Sequence, residues 1–281
     1  MSTSDLYELV FSSGVEQALL QTGRLPESWV PKYLATIQDA CSSFDGATVW
    51  PKQVFQAFHY SSMYLPLRYD VWATSANTSN SKTERSIAEI RFETEMYLWS
   101  SLSGVDRWKR HLASTNEVAF GKNGARLIEL CFGDISPVGE IDQSASFRTW
   151  KDSYEECLRN IELELKTTDC WPKWIYMAIH FASFYIDLFQ SQCIDLVRMA
   201  IELEDDTLRT RIDDVIRKLR IEIENDAVLN LIRLWLSSCS SKRDSSGLPK
   251  IGDRRPRTGQ FISVRTLSEV FLLGGINVNA S

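Results

Sequence analysis

Glycine and proline are scarce in this chain, 13 and 8 among 281 residues, and histidine occurs only three times. With 44% hydrophobic and 24% charged residues, the composition excludes a collagen-like or disordered chain and matches an ordinary globular mix. Cysteine is limited to positions 41, 131, 157, 170, 193 and 239, with no C-x-x-C spacing. That pattern fits reduced thiols in a cytoplasmic protein. Long hydrophobic runs are missing as well. The most apolar stretch, residues 174–186, includes His180 and Ser183 and falls short of the roughly 20 residues a bilayer span needs. The opening MSTSDLYELVFSSG has no basic segment followed by an apolar run, so no secretory signal is expected. Positive charge is in deficit: 31 Lys and Arg against 37 Asp and Glu leave −6 and a pI near 5.3. Such a balance argues against a surface devoted to nucleic acid or anionic lipid.

What is present is helical periodicity. It predicts helices over residues 5–21, 28–44, 50–72, 83–102, 147–165, 171–199 and 206–237. In the last of these, Ile212, Val215, Ile216, Leu219 and Ile223 share one face and charged residues the other. Residues 117–120 and 127–132 fit either short strands or a helix. Residues 74–82, 133–146 and 240–260 read as loops, and 261–273 as a short closing helix. The fold class expected is mainly α.

The chain also repeats itself. Residues 50–67 read WPKQVFQAFHYSSMYLPL and residues 171–188 read WPKWIYMAIHFASFYIDL. A constant shift of 121 makes eight of these 18 positions identical, including Trp50/Trp171, Lys52/Lys173, His59/His180, Ser62/Ser183 and Tyr64/Tyr185. The same shift aligns Trp29 with Trp150 and Tyr33 with Tyr154. This density of identity points to a duplicated helical unit. Two degenerate repeats, about 28–102 and 146–238, are expected to pack as a pseudo-twofold helical array. They divide the chain into halves 1–145 and 146–281, which can also form one compact domain. Thr48 and Asp169 stand where caps are needed, and Pro51 and Pro172 suit a first helical turn.

At about 100° per residue, Lys52, Phe55, Gln56, Ser62 and Met63 fall within about 60° of His59. If the equivalent faces meet, His59 and His180 approach each other. The plainest reading makes them buried, hydrogen-bonded histidines, since packing is needed in both halves whereas a catalytic group is rarely needed twice. A second reading is a polar groove on the pseudo-axis for a ligand or partner side chain. It would be charged by Lys52 and Lys173, lined by His59, Ser62, His180 and Ser183, and rimmed by Tyr64 and Tyr185. Two histidines make a poor zinc site, so neither metal nor cofactor is expected.

The third histidine ends Arg107-Trp-Lys-Arg-His111, which resembles the Arg-x(4–6)-His signature of the HEPN ribonucleases. Three residues rather than four separate its ends. The resemblance implies a helical nuclease; read on its own, the segment is a basic exposed turn. No G-x-G-x-x-G, phosphate loop or G-x-S-x-G elbow occurs. Glu89, Glu93 and Glu95 lack the Glu-x-x-His spacing of di-iron bundles. Asp205, Asp206, Asp213 and Asp214 sit among Arg and Lys at i,i+3 and i,i+4 spacing, as on a solvated helix. They are the expected partner surface. The basic segment 242–257 carries +4 against −10 elsewhere; without interleaved aromatics, docking on the protein's own acidic surface is favoured over nucleic acid. Together these features predict a non-enzymatic protein of inhibitor or immunity type that binds a protein partner through an acidic surface. The alternatives are a hydrolase or nuclease using His59, His180 or His111, and a small-ligand sensor with its pocket on the pseudo-axis.

Overall fold

Two tryptophan-proline pairs, 121 residues apart, meet in the computed structural model, which describes residues 3–44, 47–102, 121–133, 145–165, 167–190 and 205–240. Strand β1 (Val49–Pro51) pairs antiparallel with β2 (Cys170–Pro172), with Trp50 opposite Trp171. A proline favours extended backbone before it and tolerates the edge of a short ribbon. The chain therefore enters each following helix from a strand, and Pro51 stands outside the helix at φ −57° and ψ 134°.

Helix α4 (Lys52–His59) follows β1, and α9 (Lys173–Gln190) follows β2. A helix begins with unsatisfied N–H groups. Here the Lys52 N–H donates to the Asp169 carbonyl at 2.8 Å, and the Lys173 N–H to the Thr48 carbonyl at 2.9 Å. The expectation of side-chain caps at Thr48 and Asp169 and of prolines inside the first turn is thus corrected. Backbone carbonyls just ahead of the opposite strand satisfy these N–H groups instead.

Helix α1 (Thr3–Phe11) packs on α3 (Trp29–Ser43) and α4, while α7 (Gly121–Phe132) packs on α8 (Ala145–Leu165) and α9. The Trp29 indole N–H donates to the Leu9 carbonyl at 3.0 Å, and the Trp150 indole to the Leu130 carbonyl at 2.8 Å. Trp29 stacks on Tyr33 at 5.1 Å and Trp150 on Tyr154 at 5.3 Å. Each of these four contacts has its counterpart 121 residues along. After α4 the chain makes a π-helical turn, Tyr60–Tyr64, before α5 (Leu65–Ser75). Helix α6 (Ser81–Ser100) lies against α3, α10 (Asp206–Leu219) and α11 (Asp226–Ser240). Trp50, Trp99 and Trp235 are fully buried in the shared core.

The architecture is mainly helical, and no helix among the described residues is long and apolar enough to cross a membrane. Four helix boundaries differ from the sequence reading. Residues 5–21 divide into α1 and α2 (Val15–Thr22), because Gly14 between them adopts φ 69°. Residues 50 and 51, and likewise 171 and 172, are strand rather than helix. Residues 206–237 divide into α10 and α11, where the Asn225 side chain accepts from the Ala227 and Val228 N–H groups and caps the second helix. Of the two stretches open to two readings from sequence, residues 127–132 are helical, within Gly121–Phe132, and residues 117–120 lie outside the described residues. The Arg107–His111 motif, the loop at 134–144, residues 191–199, the basic segment 242–257 and the closing segment 261–273 lie outside the described residues.

Candidate functional site

Lys52 and His59, like Lys173 and His180, stand seven positions apart, about two helical turns that bring each pair onto one face. The lysines stand at the ribbon end and cross over. Lys52 Nζ lies 5.1 Å from the centre of the Trp171 ring, and Lys173 Nζ 4.4 Å from that of Trp50. Lys173 also donates to the Ser101 carbonyl at 2.5 Å. Desolvated cation–π contacts of this kind contribute up to about 2 kcal/mol each.

One level deeper, Phe55 stacks on Tyr176 at 4.2 Å across the same junction. Beyond it His59 and His180 meet, their Nδ1 atoms 3.2 Å apart and their rings nearly perpendicular at 79°. His180 Nε2 lies 2.9 Å from Glu95 Oε1, and Glu95 Oε2 accepts from the Trp99 indole at 3.2 Å. The Tyr176 hydroxyl is 3.4 Å from His180 Nδ1, and its ring stacks on that imidazole. Relative exposure is 2% for His59, 1% for His180 and 0% for Glu95.

Burial alone would raise the Glu95 carboxyl pKa. The charge and hydrogen bond of His180, helped by Trp235 and Ser62, outweigh burial and hold it below the ordinary carboxylate value. The Ser62 hydroxyl favours the ionised form from beside Glu95, although its position falls short of hydrogen-bond geometry. Burial drives the Tyr176 phenol well above its usual range. The two histidine Nδ1 atoms face each other while Glu95 occupies the opposite nitrogen of His180, so the three do not converge on one point. Among the described residues no group of three or more His, Cys, Asp or Glu side chains is placed to hold a metal ion.

Of the residues assigned to a groove from sequence, His59, His180 and Ser62 gather around Glu95, and Lys52 and Lys173 flank the ribbon. Ser183 donates to the Ile179 carbonyl one turn back at 2.9 Å. Tyr64 is turned elsewhere, with the Arg68 guanidinium 4.9 Å over its ring. Tyr185 lies on α9, and its side chain is outside the description. Glu95, the acid on which the unit depends, was missed as a site residue. Its signal is positional: Phe92, Glu95, Met96 and Trp99 recur at helical spacing, so an acid occupies an apolar stripe.

On α10 the four aspartates meet local partners. Asp205 caps the helix, accepting from Thr207 and Leu208 N–H at 2.8 and 3.2 Å. Asp206 pairs with Arg209 at 3.0 Å, Asp214 with Arg217 at 2.5 Å, and Asp213 with Arg233. Between residues 205 and 220, four aspartates face five Arg and Lys, so this helix carries no excess of negative charge. Helix α8 does. Asp152, Glu156, Arg159 and Leu163 line its solvent face, with Glu162 and Glu164 exposed beside them: four carboxylates against one guanidinium. Leu163, 73% exposed, sits near the end of that stripe. No protein-family model, curated protein or solved structure matches the chain.

Proposed function

We propose that this chain is a non-enzymatic binding protein, of inhibitor or immunity type, whose two degenerate helical repeats form a pseudo-twofold scaffold that presents an acidic surface to a basic protein partner. The recurrence of side-chain and backbone contacts at a spacing of 121 supports the repeat. Reciprocal bonds from Lys52 to Asp169 and from Lys173 to Thr48 are what a twofold axis through the ribbon would produce.

The observation that carries the functional reading is the division of the polar groups. Histidines and lysines of the repeated motif turn inward and join helix to helix, while carboxylates dominate the outer face of α8. The partner surface therefore belongs on Asp152, Glu156, Glu162 and Glu164 around Leu163, with the α10 aspartates in a lesser role. An apolar side chain ringed by charge of one sign suits a basic surface with a small apolar recess.

Native mass spectrometry of the protein captured gently from its own cells tests this. A stoichiometric added protein mass is expected. It should disappear when Asp152, Glu156 and Glu162 are changed to Lys, and persist when Asp206 and Asp214 are. Retention of the partner by the α8 variant refutes the surface. A small-molecule adduct in place of a protein refutes the binding role.

A further inference from the structure

We propose that α8 docks a basic helix of the partner, laid antiparallel along Asp152, Glu156, Arg159 and Leu163, with Arg159 fixing its register. The inference rests on the binding role proposed above and names the kind of segment that the surface takes. These four side chains follow one another at intervals of four, three and four residues. At about 100° and 1.5 Å per residue they fall within a band about 60° wide and about 17 Å long. All four residues are exposed, Leu163 at 73%. Such a seam is the line along which a second helix packs side by side, and a strand or a loop has no matching repeat.

The duplicated unit supplies an internal control. A shift of 121 carries the line onto α3, where Pro31, Ala35, Gln38 and Ser42 occupy it, all exposed and uncharged. A helix at this place in the scaffold needs neither charge nor a large apolar group on its outer face. The seam of α8 is an addition, and part of it opposes the stability of the helix that carries it. Glu162 and Glu164 flank Leu163 in the last turn, where the carbonyl end of a helix disfavours anions and no basic residue offsets them. Asn123 answers Glu164 with a neutral amide donor at 2.8 Å.

The chemistry of the occupant follows from this line. Lys or Arg belongs opposite Asp152 and Glu156, and a carboxylate opposite Arg159. An apolar side chain covers Leu163, with a basic neighbour on each side for Glu162 and Glu164. The antiparallel direction brings the positive N-terminal end of the incoming helix to the negative end of α8. Arg159 bonds Glu155 through Nη2 at 3.2 Å, and the rest of its guanidinium fork, on a side chain 63% exposed, is available to an acid. A helix slid by one turn would set a basic residue against that guanidinium, and like charges face to face weaken the wrong register.

The test is an NMR titration of the full chain with a synthetic alanine-based peptide of about 20 residues, long enough to hold a helix. From its N-terminus it carries leucine, glutamate, lysine and lysine at the 4-3-4 spacing, with a lysine on each side of the leucine. Backbone amide shifts should concentrate on residues 149–165, and binding should weaken as salt rises. Changing the peptide's glutamate to lysine should weaken binding to the wild-type chain about fivefold, the scale of one exposed pair turned from attraction to repulsion. The same change should strengthen binding to Arg159→Glu. Glu156→Ala combined with Leu163→Ser, which installs the α3 residues, should remove the shifts. Shifts confined to other helices, or a peptide preference that Arg159→Glu leaves unchanged, overturn the proposal. A native mass spectrum without any protein partner removes the binding role and this inference with it. A partner retained while the peptide preference fails overturns this inference alone.

Discussion

Replacing Glu95 with Ala leaves two buried donors, His180 Nε2–H and the Trp99 indole N–H, without their acceptor. Removing one partner of a buried charge pair costs about 3–5 kcal/mol, a large part of the roughly 5–15 kcal/mol that holds a domain folded. Glu95→Gln should be milder. Its oxygen can still accept from His180, but its NH2 group then faces the Trp99 donor. Losing the charge assistance and orphaning one N–H costs about 2–3 kcal/mol. The expected order is wild type, then Gln, then Ala. Urea unfolding at pH 7, followed by tryptophan fluorescence, reads it as a fall in the midpoint at constant slope. An Ala variant within about 1 kcal/mol of wild type, or a Gln variant below Ala, would refute the reasoning. Acid supplies an independent check. Because Glu95 is held below its unfolded pKa, its contribution is present above about pH 4.3 and lost as pH falls through the lower folded value. Glu95→Gln should lack that loss.

Three further outcomes follow from local geometry. Gly14 and Gly23 both adopt φ near 65–70°, but a Cβ on Gly23 would lie 2.1 Å from Trp72, whereas one on Gly14 meets nothing within 4 Å. Gly14→Ala should cost about 1 kcal/mol and Gly23→Ala clearly more, read as thermal midpoints of the two variants. Trp29→Phe and Trp150→Phe each remove one indole bond to a carbonyl and shrink one stacked ring; their losses should agree within about 1 kcal/mol by the same denaturation assay. In the native protein iodoacetamide should label Cys170, which is exposed, and spare Cys41, Cys131, Cys157 and Cys239, which are buried with raised thiol pKa values; peptide mapping distinguishes them.

Much of the core was legible because packing writes periodic signals. The apolar spacing located α3, α6 and α8 within a few residues, and angular placement of His59 on the Lys52 face raised its contact with His180. What stayed hidden depends on partners far away in sequence. Nothing local marks Trp50 and Pro51 as strand; they become one only when residues 170–172 lie alongside. The break between α10 and α11 is set by one cap, Asn225, inside a charged run that otherwise continues the helical pattern. Glu95 was passed over because it was judged by spacing to histidine within its own segment. Its partner lies 85 residues away on another helix.

The polar unit also poses the question of what it does for the fold, and one variant answers it. A buried ion pair replaced whole by apolar residues of similar volume is often neutral or stabilising by about 1–4 kcal/mol, because desolvation of the charges is avoided. His59→Leu, His180→Leu and Glu95→Met together would remove both imidazoles and the carboxylate, leaving the Trp99 N–H and the Tyr176 hydroxyl to lose partners at about 1–3 kcal/mol each. These terms nearly cancel. The triple variant should fall within about 2 kcal/mol of wild type at pH 7 and be more stable than Glu95→Ala alone. A triple variant weaker than Glu95→Ala would mean that the unit is a net source of stability. The expected result assigns it another role. Of all ways to slide α4 past α9, only the register that puts Trp50 opposite Trp171 brings His59 onto His180 with Glu95 behind it, and any slip would leave a buried charge unpaired.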